Sequence, residues 1–237
     1  MVPSKQGAPR ALPKSFQFKG IPMGFAAAGA PVLVLASLVL AALSPADVRL
    51  GNWVKLVYWH GMYTWACIVL FSVGAILAAW YLVSKRQTIA DLAKAILFLA
   101  MPLWIVDVSV GALAAKLIWN SFNLTEGRMV ISLVYMMVVA VAVIAALWFD
   151  RPAVTSSLSI VSTVVLWAGL WWISFGAGAR DSVHPASPIA NSDSMAIKVF
   201  AILIFLSMLG AVVLAVVPVY EWLRKSTTVK SADDSDE

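Results

Sequence analysis

Histidine is the residue type in this chain best suited to binding a metal, and the chain contains two, His60 and His184. Neutral imidazole is a good axial ligand for haem iron, and two imidazoles from different segments can hold one haem between them. The alternative is structural. In that case His60 bonds to a neighbour near a membrane surface and His184 is solvated in a loop. Spacing alone leaves both interpretations open.

Aromatic residues are expected around both histidines: some flank His60, others lie at 119–122 and the rest precede His184 at 171–175. Belts of Trp and Tyr are common at membrane surfaces, so these residues are compatible with simple anchoring. A flat apolar surface also suits a porphyrin, whose propionates could pair with Arg128 or Arg180. Amino-acid composition does not distinguish membrane anchoring from porphyrin binding. The aromatic residues are Trp53, Trp59, Tyr63, Trp65, Trp119, Phe122, Trp171, Trp172 and Phe175.

The elements that carry these residues are long apolar segments. Apolar residues make up 62% of the 237-residue chain and charged residues 12%, against roughly a quarter charged in a soluble domain. Each segment approaches or exceeds the ~20 residues that span a membrane as a helix. We therefore predict an all-α protein with a six-helix transmembrane domain over 22–222, between tails at 1–21 and 223–237. The apolar runs are 22–43, 54–83, 95–118, 129–149, 158–176 and 197–222.

The distribution of Lys and Arg predicts the orientation. Six spans place eleven of the 17 basic residues on the side of both termini and six on the other side. The more basic side is expected in the cytoplasm, which makes both tails cytoplasmic, including the acidic C-terminal one. The outer loops are then 44–53, 119–128 and 177–196. His60 lies near the outer end of the second span, and His184 lies in the third outer loop.

Several other functional classes are disfavoured. The lone Cys67 excludes a disulfide or a cysteine metal cluster within the chain, and no CxxCH sequence is present for covalent haem. The net charge of +5 comes from residues beside apolar runs, which is typical of membrane topology rather than of nucleic-acid binding. The spans leave no room for a separate soluble catalytic domain. A binding or transfer protein is therefore favoured over an enzyme.

Asp107 falls near the middle of the third apolar run. A charge at that depth costs at least ~2.5–3.5 kcal/mol on insertion scales, so the side chain must face the bundle interior or be protonated. One interpretation is a neutral acid hydrogen-bonded to a neighbouring helix. The other is a group that takes part in proton or quinone chemistry.

Three segments resemble a known family. The segment Tyr58–Met62, Y-W-H-G-M, resembles the Y-x-H-V-P segment of the CcmC-type haem-handling membrane proteins of cytochrome c maturation. The segment 119–129, W-N-S-F-N-L-T-E-G-R-M, is similar to their tryptophan-rich loop W-G-T-W-W-V-W-D-A-R-L. Trp171 and Trp172, followed by His184, resemble W-W-N-T-L-H-Q. The six-span layout of that family covers residues 22–222.

The resemblance implies a function and a set of site residues. It implies that His60 and His184 are the axial ligands of a non-covalent, b-type haem on the outer face of the plasma membrane. It also implies two kinds of partner, an ATP-dependent exporter and a haem chaperone. Only Trp119 is retained among the tryptophans of the family loop. The other cofactor-binding residues implied are Trp59, Trp119, Phe122, Glu126, Arg128 and Trp172.

Two other classes of membrane protein are compatible with some of these features. In a subunit of a respiratory or electron-transfer complex, the same outer haem would pass electrons to a peripheral redox protein. Two histidines allow at most one bis-histidine haem, which disfavours a two-haem cytochrome b. A solute transporter would be expected to show internal repeats and helices broken within the membrane, and the sequence shows no repeat.

The topology can be tested with reporter fusions at residue 190 and at the C-terminus. We expect the two reporters to lie on opposite sides of the membrane, with the C-terminal one in the cytoplasm. Alkaline phosphatase and fluorescent-protein activities measure this directly. Reporters on the same side would contradict the six-span arrangement.

Overall fold

The computed structural model describes residues 21–47, 50–120, 124–175, 189 and 192–233, and describes side chains up to residue 225. Phe122 and His184 lie outside the described residues. Residues 1–20 and 234–237 of the two predicted tails also lie outside them. Within the described ranges the chain forms six helices, each with a segment long and apolar enough to cross a membrane. This confirms the predicted all-α, six-span fold. The helices are α1 (Met23–Leu43), α2 (Val54–Ser84), α3 (Gln87–Trp119), α4 (Gly127–Phe149), α5 (Pro152–Phe175) and α6 (Met195–Asp233).

Three helices extend further than the apolar runs. α3 begins at Gln87 instead of residue 95, α5 begins at Pro152 instead of residue 158, and α6 continues to Asp233. Hydropathy marks the part of a helix that lies in hydrocarbon, whereas backbone hydrogen bonding continues into the polar flanks. The polar start of α3 is also tied to its neighbour, because Lys94 Nζ donates to Asp150 Oδ1 at 3.0 Å, at the end of α4.

Two very short connections join neighbouring helices. Lys85 ends α2 in the left-handed conformation (φ 55°) and is followed by Arg86, after which α3 starts. Asp150 ends α4 in the same way (φ 43°), and α5 begins at Pro152, where the fixed φ of proline suits the first helical turn. Such short links make α2 with α3, and α4 with α5, antiparallel hairpins whose turns lie at the same end of the bundle.

The helices pack around α2. It contacts α1, α3, α5 and α6, whereas α4 packs on α3 and α5, and α1 packs mainly on α6. An aromatic cluster of Phe71, Trp104 and Tyr135 joins α2, α3 and α4. The rings of Trp104 and Tyr135 meet edge to face with centroids 4.7 Å apart, a favourable arrangement for aromatic pairs. Trp104 Nε1 also donates to the backbone oxygen of Ser132 at 3.0 Å, which satisfies the buried indole.

Glycine permits close helix approach at several crossings, two of which are especially tight. A β-carbon on Gly74 of α2 would stand 2.7 Å from Cγ2 of Ile96, and one on Gly169 of α5 would overlap Ile131 of α4. Because lipid provides little hydrophobic drive for helix association, small residues that let backbones approach contribute much of the packing. Gly169 therefore holds α5 against α4.

We expect Gly169→Ala to destabilise the bundle, since Ile131 must move to admit the methyl group. Overpacking of this kind typically costs about 1–3 kcal/mol. Thermal unfolding in detergent, followed by tryptophan fluorescence, measures the effect. Gly24→Ala is the matched control, because a β-carbon on Gly24 meets nothing within 4 Å. Equal melting temperatures for the two variants would contradict the close crossing.

Candidate functional site

A cavity of about 450 Å³ lies between α2, α3, α4 and α5 at the end of the bundle opposite the two short turns. This volume falls in the range of roughly 300–1,000 Å³ that is usual for small-molecule and cofactor sites. Its inner end is closed by Ile68, Trp104 and Leu166, all buried. The aromatic cluster thus continues into the wall of the cavity and separates it from the rest of the core.

Four residues predicted from the sequence line this cavity: His60, Trp119, Glu126 and Arg128. They come from α2, the end of α3 and the start of α4, and the fold brings them together. We call Trp119, Glu126 and Arg128 the rim. Glu126 is buried whereas Arg128 is exposed, so the rim presents a cation to its surroundings and keeps its carboxylate inside.

All three predicted outer loops reach this end of the bundle. Leu50 from the first, Glu126 from the second and Ile189 from the third contribute to the lining. The loops therefore converge on one site, although they are far apart in the sequence. Loops held by a rigid scaffold are a common location for binding residues.

His60 has a carboxylate beside it that comes from α3. Its Nδ1 is buried and lies 3.3 Å from Oδ1 of Asp107, without the angle of a good hydrogen bond. Asp107 is only 3% exposed. Thr64, one turn after His60 on α2, donates its hydroxyl to the same Oδ1 at 2.6 Å. The intramembrane acid is thus placed between two polar side chains of α2.

Gly111 of α3 lies close to the His60 ring. A β-carbon at this position would stand 2.9 Å from both Nε2 and Cε1 of His60. The imidazole therefore lies against the backbone of α3, one turn after Asp107. Glycine at position 111 leaves the space that this placement needs, because any larger side chain would push the ring away.

Two of the predicted site residues lie elsewhere among the described residues. The ring of Trp59 stacks on Tyr63, with centroids 5.6 Å apart and planes 7° apart, and its Nε1 donates to Oγ of Ser37 on α1 at 3.0 Å. Trp172 is not part of the lining, to which α5 contributes Leu170 and Ile173 instead. Trp59 therefore belongs to the contact between α1 and α2.

Sequence reasoning did not identify Asp107, Thr64 or Gly111 as neighbours of His60. Asp107 was conspicuous as an intramembrane acid, but its partner was not evident. A signal was present in the spacing, because Thr64 follows His60 by four residues and Gly111 follows Asp107 by four. Residues four apart share one helix face. The spacing shows which side chains could meet but not that α2 and α3 pack on those faces.

The arrangement suits coordination by a single imidazole. Histidines that bind a metal through one ring nitrogen generally offer the other to a carboxylate or carbonyl. One histidine is sufficient for an iron whose other ligands come from a porphyrin. A scan against protein-family models finds no match, and a search of curated proteins finds no match either.

The cavity should be accessible to water-soluble reagents. Ser132 is half-buried and lines it, so a Ser132→Cys variant should react with a small charged thiol reagent. Ser159→Cys is the matched control, since Ser159 is buried outside this cavity, and the native Cys67 is fully buried. Mass spectrometry of the labelled protein measures the reaction. Equal labelling of both variants, or of neither, would contradict a cavity open to solvent.

Proposed function

We propose that this protein binds haem non-covalently at the outer end of its membrane domain and acts in haem handling for cytochrome c maturation, as a CcmC-type protein. One observation carries the proposal. His60, Trp119, Glu126 and Arg128, which the resemblance implies as haem-binding residues, all line one cavity, and a carboxylate lies behind the histidine. Binding and transfer require no catalytic residues.

The side chains of the cavity fit the chemistry of haem. His60 provides an imidazole for iron, and the walls are largely apolar, with Val108, Leu170 and Ile173 among them. Exposed Arg128 can form a charge-assisted hydrogen bond with a propionate at the rim. When bound, haem supplies an iron that takes up axial ligands and changes redox state. His184 is our proposed second axial ligand and lies outside the described residues.

The position of the cavity supports handling of haem rather than permanent storage. It lies at the end of the bundle, where the three outer loops converge, so a ligand can exchange there without crossing the core. The basic asymmetry of the sequence supports an orientation in which this end faces outward from the plasma membrane. We therefore propose an ATP-dependent exporter and a haem chaperone as partners. The alternative is a membrane redox subunit that keeps its haem.

Haem binding can be tested by titrating the purified protein with haemin. We expect His60→Ala to lose the low-spin visible spectrum, because the iron loses an axial ligand. Trp59→Phe serves as the control, since Trp59 lies next to His60 in sequence but packs against α1. A normal low-spin spectrum in His60→Ala would exclude this histidine as a ligand.

The same purified protein can be used to distinguish haem handling from the alternative, a redox subunit that keeps its haem. Apomyoglobin added to the haem-loaded protein should remove the haem within minutes to hours if the site is built for transfer. Haem that survives purification and resists the acceptor would favour the resident cofactor of a redox subunit. Stopped-flow absorbance at the Soret band measures the transfer rate.

A further inference from the structure

The contact between α2 and α3 assigns a role to an acid that the resemblance does not include. We propose that Asp107 is a positioning residue for His60. Its carboxylate accepts a hydrogen bond from Nδ1–H of the imidazole, so that Nε2 carries the lone pair that binds iron. This inference rests on the proposed function, because it concerns the same site.

The first support is the burial of both partners. Nδ1 of His60 is buried and makes no hydrogen bond of good geometry, while Oδ1 of Asp107 lies 3.3 Å away. A buried donor without an acceptor is costly. Polar contacts at catalytic and binding sites are often long in the ligand-free protein and tighten when the ligand binds.

The second support is that Asp107 is itself held in place. The Thr64 hydroxyl donates to its Oδ1 at 2.6 Å, and Asp107 lines the cavity rather than the lipid-facing surface. An acid that served only to join α2 to α3 would not need to face the cavity. Its position beside the ring nitrogen of His60 is the arrangement that orients a metal-binding histidine and increases its basicity.

The third support is the absence of a side chain at position 111. His60 can reach Asp107 only because its ring lies against the backbone at Gly111, where a β-carbon would stand 2.9 Å from Nε2 and Cε1. Asp107 and Gly111 are one turn apart on α3. Together they determine the tilt and the position of the imidazole in the cavity.

A carboxylate beside Nδ1 makes the imidazole a stronger electron donor, which stabilises the oxidised iron. Second-shell hydrogen bonding is one of the ways in which a protein sets the reduction potential of haem. Asp107→Asn keeps the size of the side chain and removes its charge. We therefore expect the variant to bind haemin about 10–100-fold more weakly and to show a reduction potential shifted to a more positive value.

The experiment uses the full-length protein in detergent with added haemin. Affinity is measured by absorbance titration and the potential by spectroelectrochemistry, for Asp107→Asn, Asp107→Glu and Ser109→Ala. Asp107→Glu should recover part of both effects because the charge is restored. Ser109→Ala is the control on α3, since Ser109 is exposed and bonds only to the backbone of its own helix. An unchanged potential and affinity in Asp107→Asn would overturn the inference.

A pair of glycine variants tests the geometry without changing any polar group. Gly111→Ala should push the ring away from Asp107 and shift the potential in the same direction as Asp107→Asn. Gly24→Ala, on α1 and outside the cavity lining, should not, because a β-carbon there meets nothing within 4 Å. Equal potentials for the two variants would contradict the placement of His60, and this comparison remains informative if Asp107→Asn fails to fold.

The inference and the proposed function fail in different ways. If His60→Ala binds haem normally, the proposed site is wrong and so is the role of Asp107. If His60→Ala loses low-spin haem while Asp107→Asn keeps both affinity and potential, only the positioning role is wrong.

Discussion

A polar group inside hydrocarbon has to find its partner within the protein, and this constraint governs how the helices of this bundle meet. Asp107 is the clearest case, since its carboxylate is reached by Thr64 and lies beside His60. The same rule applies deeper in the bundle. The hydroxyl of Tyr63 donates to the backbone of Leu103 at 2.8 Å, and that of Thr163 donates to the backbone of Phe71 at 3.3 Å. Each of these bonds forms at only one relative position of the two helices along their axes. Polar contacts therefore align helices that apolar packing alone would leave free to slide.

The cavity follows from this alignment. Among the described helices, α2 packs closely on α3 and α5 and reaches α4 through side chains such as the Phe71–Tyr135 ring pair, so four helices surround a space that only side chains can fill. At the inner end Trp104 and Leu166 fill it. Towards the end where the predicted outer loops converge, α3 presents the small residues Gly111, Ala114 and Ala115 to this space. The site therefore exists because α3 changes from large to small residues along one face.

The sequence predicted the number and type of the helices because hydrocarbon thickness sets a length that composition reveals. The ends of α2 and α4 agree with the apolar runs, whereas the starts of α3 and α5 were less evident from the sequence, since their first turns contain polar residues that hydropathy excludes. With the turn at residues 85–86 as a reference, the distance of each residue from that end of the bundle follows from the helical rise. His60 lies about 37 Å before Lys85, and Asp107 about 32 Å after Arg86, at 1.5 Å per residue, so the two are close in depth. Which faces meet depends on packing, and for this reason the pair was not predicted.

Under the proposed function, the site divides into two parts that serve different needs of a protein that hands on its ligand. His60, Thr64, Asp107 and Gly111 all belong to the hairpin of α2 and α3, whose register is set by buried contacts. The rim belongs to the connection between α3 and α4, where Asn120 ends α3 in the left-handed conformation and Arg128 is exposed. A rigid hairpin can define how strongly an iron is held and in which redox state it is favoured. Exposed Arg128 can exchange its contacts with a partner, because its side chain is accessible at the surface of the bundle. Under the proposed function, the hairpin would thus control retention of haem and the rim its transfer. A partner could then act on the rim without disturbing the hairpin.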